Sequence, residues 1–154
     1  MTKKYWLMKS EPDEFSILDL KRVKVEPWSG IRNYQARNFM RDEMSVGDEV
    51  LFYHSSTKPP GVAGTMTVAS APYPDPLQFK KNSKYYDEKA TKEKPRWMVV
   101  DVLFQSVFST FITLNVLKSE DKLENMLILQ KGTRLSITPV TAGEFRHIVK
   151  MGGK

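Results

Sequence analysis

The chain contains no cysteine and only two histidines, His54 and His147. Disulfides, thiolate nucleophiles and thiolate metal centres are therefore excluded. The two histidines stand far apart in sequence. Asp42, Glu43, Asp48 and Glu49 read as a solvated turn rather than a ligand set, so no metal is expected. There is no Gly-x-Ser-x-Gly elbow, and Gly61-Val62-Ala63-Gly64 is not a Walker loop. No apolar run approaches the length of a membrane span. The N-terminal stretch meets Glu11, Pro12, Asp13 and Glu14 too early for a signal-peptide core. These absences predict a protein without metal, cofactor or membrane, in the cytoplasm or, in a eukaryotic source, the nucleus.

What is present is ordinary in bulk. The 154 residues carry 24 lysines and arginines against 18 aspartates and glutamates, a net charge of +6 that favours anionic partners. The length suits a single monomeric domain spanning 1–154 with a substantial core. The arrangement is less ordinary. In the first third, Trp6, Trp28, Tyr34, Tyr53 and His54 interleave with Lys9, Arg32, Arg37 and Arg41. Ser10, Ser29, Asn33 and Ser55 lie among them. Flat rings, cations and hydrogen-bonding groups together form the inventory that holds a planar, polar, anion-linked object such as a nucleobase.

Patterning predicts the elements. Residues 4–9 read as a strand, Ser16 and Asp19 as a capping box opening a short helix, and Asn33 to Met44 as a second helix. Glu49–His54 and Val62–Ala69 form a hairpin with a long tip, in which Gly64 marks a bulge or a close backbone approach. Residues 71–95, with Pro72, Pro74, Pro76 and Pro95 and many lysines, form a long irregular segment that reads as a solvated loop able to clamp. Arg96–Phe104 is a strand, and residues around Asp121–Leu129 a helix. Gly132 breaks the chain before a strand over Leu135–Val140. Thr141 to Glu144 caps the last helix, which ends before Gly152-Gly153. Hairpins with helices at irregular intervals predict an α+β fold, an antiparallel barrel or curved sheet decorated by short helices.

Trp6 reads as core. Trp28 follows Pro27 in a non-periodic segment, where regular packing does not account for it, and reads as the wall of a stacking site. Trp97, at the mouth of a strand, reads equally as core or wall. Arg32, Arg37 and Arg41 either contact phosphates beside a bound base or solvate a helix face. Two other chemistries stay open: an enzyme acting on a nucleotide with His54 as acid–base and Lys9 as electrostatic stabiliser, and a small-metabolite-binding barrel.

Five blocks carry a resemblance: YWLMKSEPDEF (5–15), WSGIRNYQARNFMRD (28–42), GDEVLFYHSS (47–56), PRWMVVDV (95–102) and KGTRLSITPV (131–140). In this order they resemble the EVE domain family. The resemblance implies a PUA-like barrel related to YTH domains, which takes one modified base into an aromatic cage. The base implied is a modified cytosine in DNA, with RNA as the other possibility. By similarity Lys9 and Ser10 form the polar end of the first strand, and Trp28 and Ser29 a cage wall. Asn33 and Tyr34 stand beside them, Tyr53, His54 and Ser55 close a strand at the pocket, and Arg134 and Ser136 approach from the last strand. Trp97 is a candidate second wall.

Overall fold

Strand β1 (Tyr5–Ser10) is a run of aromatic and aliphatic side chains, and it lies inside the main sheet, between two other strands. The computed structural model describes residues 3–131 and 134–153. After β1 come helix α1 (Ile17–Val23), β2 (Val25–Pro27), α2 (Tyr34–Asn38), β3 (Glu49–His54) and β4 (Gly61–Val68). The short β5 (Tyr73–Pro74) and β6 (Met98–Val99) precede β7 (Asp101–Thr113), α3 (Leu114–Ser119), β8 (Ile137–Val140) and α4 (Ala142–Gly152). Six strands form one curled sheet, a half-barrel, in the order β2-β7-β4-β3-β1-β8, and β5 pairs with β6 apart from it. None of the helices among the described residues is long and apolar enough to cross a membrane.

Local chemistry sets the helix ends. The Ser16 hydroxyl accepts from the Asp19 amide while the Asp19 carboxylate accepts from the Ser16 amide, and Thr141 with Glu144 repeats this reciprocal cap on α4. Asn33 caps α2 through the Ala36 amide. The expected single helix from Asn33 to Met44 is instead one short α-helical stretch followed by a π turn, Phe39–Glu43. In that turn the Met44 amide reaches back to the Phe39 carbonyl.

Three further expectations are corrected. The strand foreseen over Arg96–Phe104 is interrupted at Val100, and β7 runs on to Thr113 because it pairs with both β2 and β4. The helix foreseen around Asp121–Leu129 is two 3-10 turns, Asp121–Leu123 and Leu127–Leu129, neither with a side-chain cap. The antiparallel sheet contains one parallel pair, β1 with β3, in the register Tyr5↔Glu49 to Ser10↔His54. Gly132 lies outside the described residues. The hairpin β3–β4 shifts register between Phe52 and Tyr53, opposite Gly64. A Cβ on Gly64 would run into the Ser106 carbonyl of β7, so the close approach of β7 to β4 beside this bulge depends on glycine.

Strand alternation divides the core between the two faces of the sheet. Trp6, Met8 and Phe52 pack with Trp28, Ile31, Met40 and Val100 on one face; Leu7, Leu51 and Tyr53 pack with Phe108, Leu117, Phe145 and Ile148 on the other. One buried carboxylate fixes the start of the parallel pair. Asp48, 2% exposed, accepts from the Trp6 indole nitrogen at 3.0 Å, the Lys4 amide at 3.1 Å and the Ser45 amide at 3.0 Å. Replacing Asp48 by Ala leaves these donors without a partner. Urea denaturation is expected to show a loss of roughly 3 kcal/mol, with a smaller loss for Asp48→Asn.

Candidate functional site

A cavity of about 320 Å³ opens where β1 and β3 run out side by side. Because the two strands are parallel, their C-terminal ends coincide, and the Ser55 amide donates to the Ser10 carbonyl at 2.9 Å. The Lys9 amide donates to the Ser136 carbonyl at 2.8 Å, bringing the approach to β8 against the same end. The cavity is lined by Lys9 and Ser10, by Glu11, Glu14 and Phe15 from the loop before α1, and by the segment from Glu26 to Ile31. Ser55, Tyr85, Arg134 and Ser136 complete it.

Trp28 lines this cavity and is also a core residue, 6% exposed. Its ring meets Phe52 edge-on at 5.4 Å and Phe15 at 6.5 Å, and its amide donates to the Val100 carbonyl. The indole is therefore held rigidly before any ligand arrives. The Ser10 hydroxyl donates to the Phe15 carbonyl at 2.6 Å. Among the described residues, the side chains of Lys9, Glu26, Ser29, Ser55, Arg134 and Ser136 have no hydrogen-bond or ion-pair partner, although all six line the cavity. Burial pulls the Lys9 ammonium below its ordinary pKa. Burial, followed by the nearby Asp101 charge, pushes the Glu26 carboxyl above its own.

The segment from 71 to 95 is anchored against the cavity. Asp75, fully buried, accepts from the Gly30 amide at 2.8 Å, the Leu77 amide at 2.9 Å and the Arg32 guanidinium at 3.0 Å. Arg32 also donates twice to the Tyr85 carbonyl. Gly30 sits at φ +84, and a Cβ there would come within 2.9 Å of the Tyr85 ring. A left-handed glycine thus lets Tyr85 close against the chain beside Trp28. Lys84 adds an exposed ion pair to Glu14 at 2.8 Å, a contact of small energetic weight.

The structure brings Lys9, Ser10, Trp28, Ser29, Ser55, Arg134 and Ser136 to this one cavity. It places the other candidates elsewhere. Asn33 is occupied as the α2 cap. Tyr34 stacks on Trp97 at 4.8 Å, and the Trp97 indole nitrogen donates to Asp87 at 2.8 Å, so the two tryptophans belong to different clusters. Tyr53 is buried on the opposite face of the sheet. His54 accepts a hydrogen bond from the Ile17 amide at 3.1 Å through Nε2. Arg32 is committed to Asp75, and Arg37 to the Arg96 carbonyl at 2.7 Å and the Asn38 side chain. Arg41 holds only an exposed pair with its neighbour Asp42.

Phe15, Glu26 and Tyr85 escaped the sequence reading. Glu26 had a signal: it lies two residues before Trp28 in an extended segment, and such residues share a face. Tyr85 had none, because its place depends on the Asp75 anchor.

A curled sheet with a cavity at the ends of its parallel pair defines a PUA-like domain. The chain belongs to the EVE domain family, whose model matches residues 4–151. It is 41% identical to human thymocyte nuclear protein 1 over 97% of this chain and 74% of that protein. Solved structures that are closely similar include the following two. A hypothetical protein from Leishmania major superposes with a TM-score of 0.93 at 51% identity, covering 98% of this chain and 95% of that one. Human THYN1 protein in complex with 5-methylcytosine-containing DNA gives 0.91 at 42% identity, covering 99% of each chain.

Two outcomes follow from these placements. Trp28→Ala is expected to destabilise the fold by about 3–5 kcal/mol in chemical denaturation, and Trp28→Phe by much less. Burial holds the His54 pKa below its usual 6.5. The unfolded chain therefore takes up that proton first. Stability is complete above about pH 6.5 and falls as the pH drops from there through the lower folded-state value. Denaturation midpoints measured between pH 7.5 and 5 should show this slope in the parent chain, and His54→Gln should flatten it.

Proposed function

We propose that this chain is a non-enzymatic, monomeric DNA-binding module that takes a modified cytosine, flipped out of the duplex, into the cavity beside Trp28. One observation carries the reading: unpartnered donors and acceptors are gathered around a preset indole, in a cavity at the small end of the ~300–1,000 Å³ typical of ligand sites. Similarity to human THYN1 protein, which was solved with 5-methylcytosine-containing DNA, supports it. Flipping a base costs a few kcal/mol, and stacking on an aromatic ring returns about 1–3 kcal/mol. The cavity's polar groups and contacts to the flanking phosphates must supply the rest.

The residues divide into two roles. Trp28 stacks on the base, while Lys9, Ser10, Ser29, Ser55 and Ser136 face its polar atoms. Arg134 is exposed at the cavity and suits a flanking phosphate. Arg41 suits a more distant one, since its pair with Asp42 is solvent-exposed and easily exchanged. Arg32 and Arg37 act through the fold, holding the segment that carries Tyr85 and the start of the 96–99 strand region. His54 lies outside the cavity lining with its Nε2 lone pair occupied, which supports a reader over a catalyst.

Fluorescence anisotropy with matched duplexes tests this reading. The parent chain is expected to bind a 5-methylcytosine duplex more tightly than its unmodified counterpart and than an RNA of the same sequence. Lys9→Ala should weaken binding, and Arg134→Ala should weaken it for every sequence and lower the salt slope by about one. Equal affinity for modified and unmodified duplexes would overturn the proposal. So would any mass change in the oligonucleotide after incubation.

A further inference from the structure

Glu26 is the half-buried carboxylate of the cavity, the other two, Glu11 and Glu14, being exposed, and the base-binding reading leaves its chemistry unused. It lies on β2, the edge strand, and both it and Trp28, two residues on, line the cavity. One short extended segment thus supplies a ring wall and a carboxylate to the same space. The carboxylate is half-buried and has no partner among the described residues. Its neighbours give it nothing. Asp101 of β7 has the same charge and is engaged by the Tyr73 hydroxyl at 2.6 Å, and the residue paired with Glu26 across the ladder is the buried Val102. Lys9 and Arg134, the cations lining the cavity, come from β1 and the approach to β8, at the other edge of the sheet, and make no ion pair with it. The cavity therefore has its half-buried acceptor on the β2 wall and its cations on the β1–β8 wall, while the other lining carboxylates, Glu11 and Glu14, are solvent-exposed in the loop before α1, Glu14 paired with Lys84.

We infer that Glu26 is a specificity-determining residue: its carboxylate accepts a hydrogen bond from an exocyclic amine, so that the cavity selects amino-bearing bases of the cytosine type over keto bases such as thymine and uracil. The inference rests on the base-binding reading of the cavity and deepens it. Cytosine offers its N4 amine as a donor at one end of its pairing edge and its O2 carbonyl as an acceptor at the other. That pattern matches a carboxylate facing cations across a cavity. Thymine would set its O4 oxygen against the Glu26 oxygens, leaving two acceptors in contact and both unpaired, which is the costly arrangement in a desolvated site. Because 5-methylcytosine and thymine carry the same C5 methyl group, the methyl cannot distinguish them. The edge must.

The test uses duplexes that place 5-methylcytosine or thymine opposite an abasic site, so that pairing strength does not enter. The parent chain is expected to bind the 5-methylcytosine duplex roughly tenfold more tightly or better. Glu26→Gln, whose amide can also donate to O4, is expected to reduce that ratio to within about threefold, with circular dichroism confirming the fold. A second measurement needs no variant: N4,N4-dimethylcytosine removes both amine donors and should bind the parent chain no better than thymine. Equal binding of 5-methylcytosine and thymine, an unchanged ratio in Glu26→Gln, or undiminished binding of the dimethylated base would each overturn the role of Glu26 while leaving the base-binding reading in place. If no duplex carrying a modified base binds better than unmodified DNA, both fall together.

Discussion

The parallel pairing of β1 with β3 is the constraint on which the rest of the site depends. In an antiparallel pair the end of one strand lies beside the start of its neighbour, so Lys9-Ser10 and Ser55 would stand at opposite ends of the two strands. Here they stand together, and the approach to β8 joins them through the bond from Lys9 to Ser136. Asp48 protects this arrangement from the far end. Its carboxylate ties the Trp6 indole and the Lys4 amide to the turn that precedes β3, which discourages any slip between the two strands. A slip by one residue would exchange the two faces of β1 and turn Trp6 and Met8 away from their core.

The second constraint concerns the long 71–95 segment, which is held by buried polar groups rather than by an apolar core of its own. Gln78, fully buried, donates to the Asp75 and Trp97 carbonyls and accepts from the Arg96 and Trp97 amides, so its amide is fully used. Asp75 and Arg32 then fasten the segment to the chain beside Trp28. Asp87, held below the usual carboxylate range chiefly by the Trp97 indole, adds a third tie. Such networks are costly when half satisfied and rigid when complete. This one is complete, with no buried side-chain polar atom left unpaired among the described residues. The Tyr85 ring is accordingly placed by polar chemistry far from it in sequence.

Much of the fold was legible because its signals are local. Both capping boxes, β3 and the start of β1 depend on residues within a few positions of one another, and the glycine at 64 was itself the mark of its bulge; each occurs where the pattern indicated. What the pattern missed is non-local. The length of β7 follows from its having β2 and β4 as partners, and the parallel β1–β3 pair has no signature in either strand. The same division holds within the candidate site. Trp28 drew attention through its irregular surroundings. Trp97 and Tyr34 looked alike on paper, yet their partners Asp87 and Arg96 draw them into a separate stack. The arginines read as cationic surface because sequence does not reveal which of them meets a buried carboxylate.

The division of the core by the sheet has a consequence for how the domain can change. The cavity's aromatic residues Trp28 and Phe15 belong to the cluster on one face, while α3, α4 and the 3-10 turns pack on the other. The strands they share run between the two, and the Lys9 side chain at the cavity lies over the Tyr53 ring of the other cluster, 6.0 Å from its centroid. Distant sites without common partners contribute nearly independently to stability. The side chains of α3, α4 and the 3-10 turns that pack away from the cavity can therefore accumulate substitutions, and lose or gain local rigidity, with little effect on Trp28. The sheet acts as a partition behind Trp28, and a lineage can reshape the α3–α4 side while inheriting the indole and its packing.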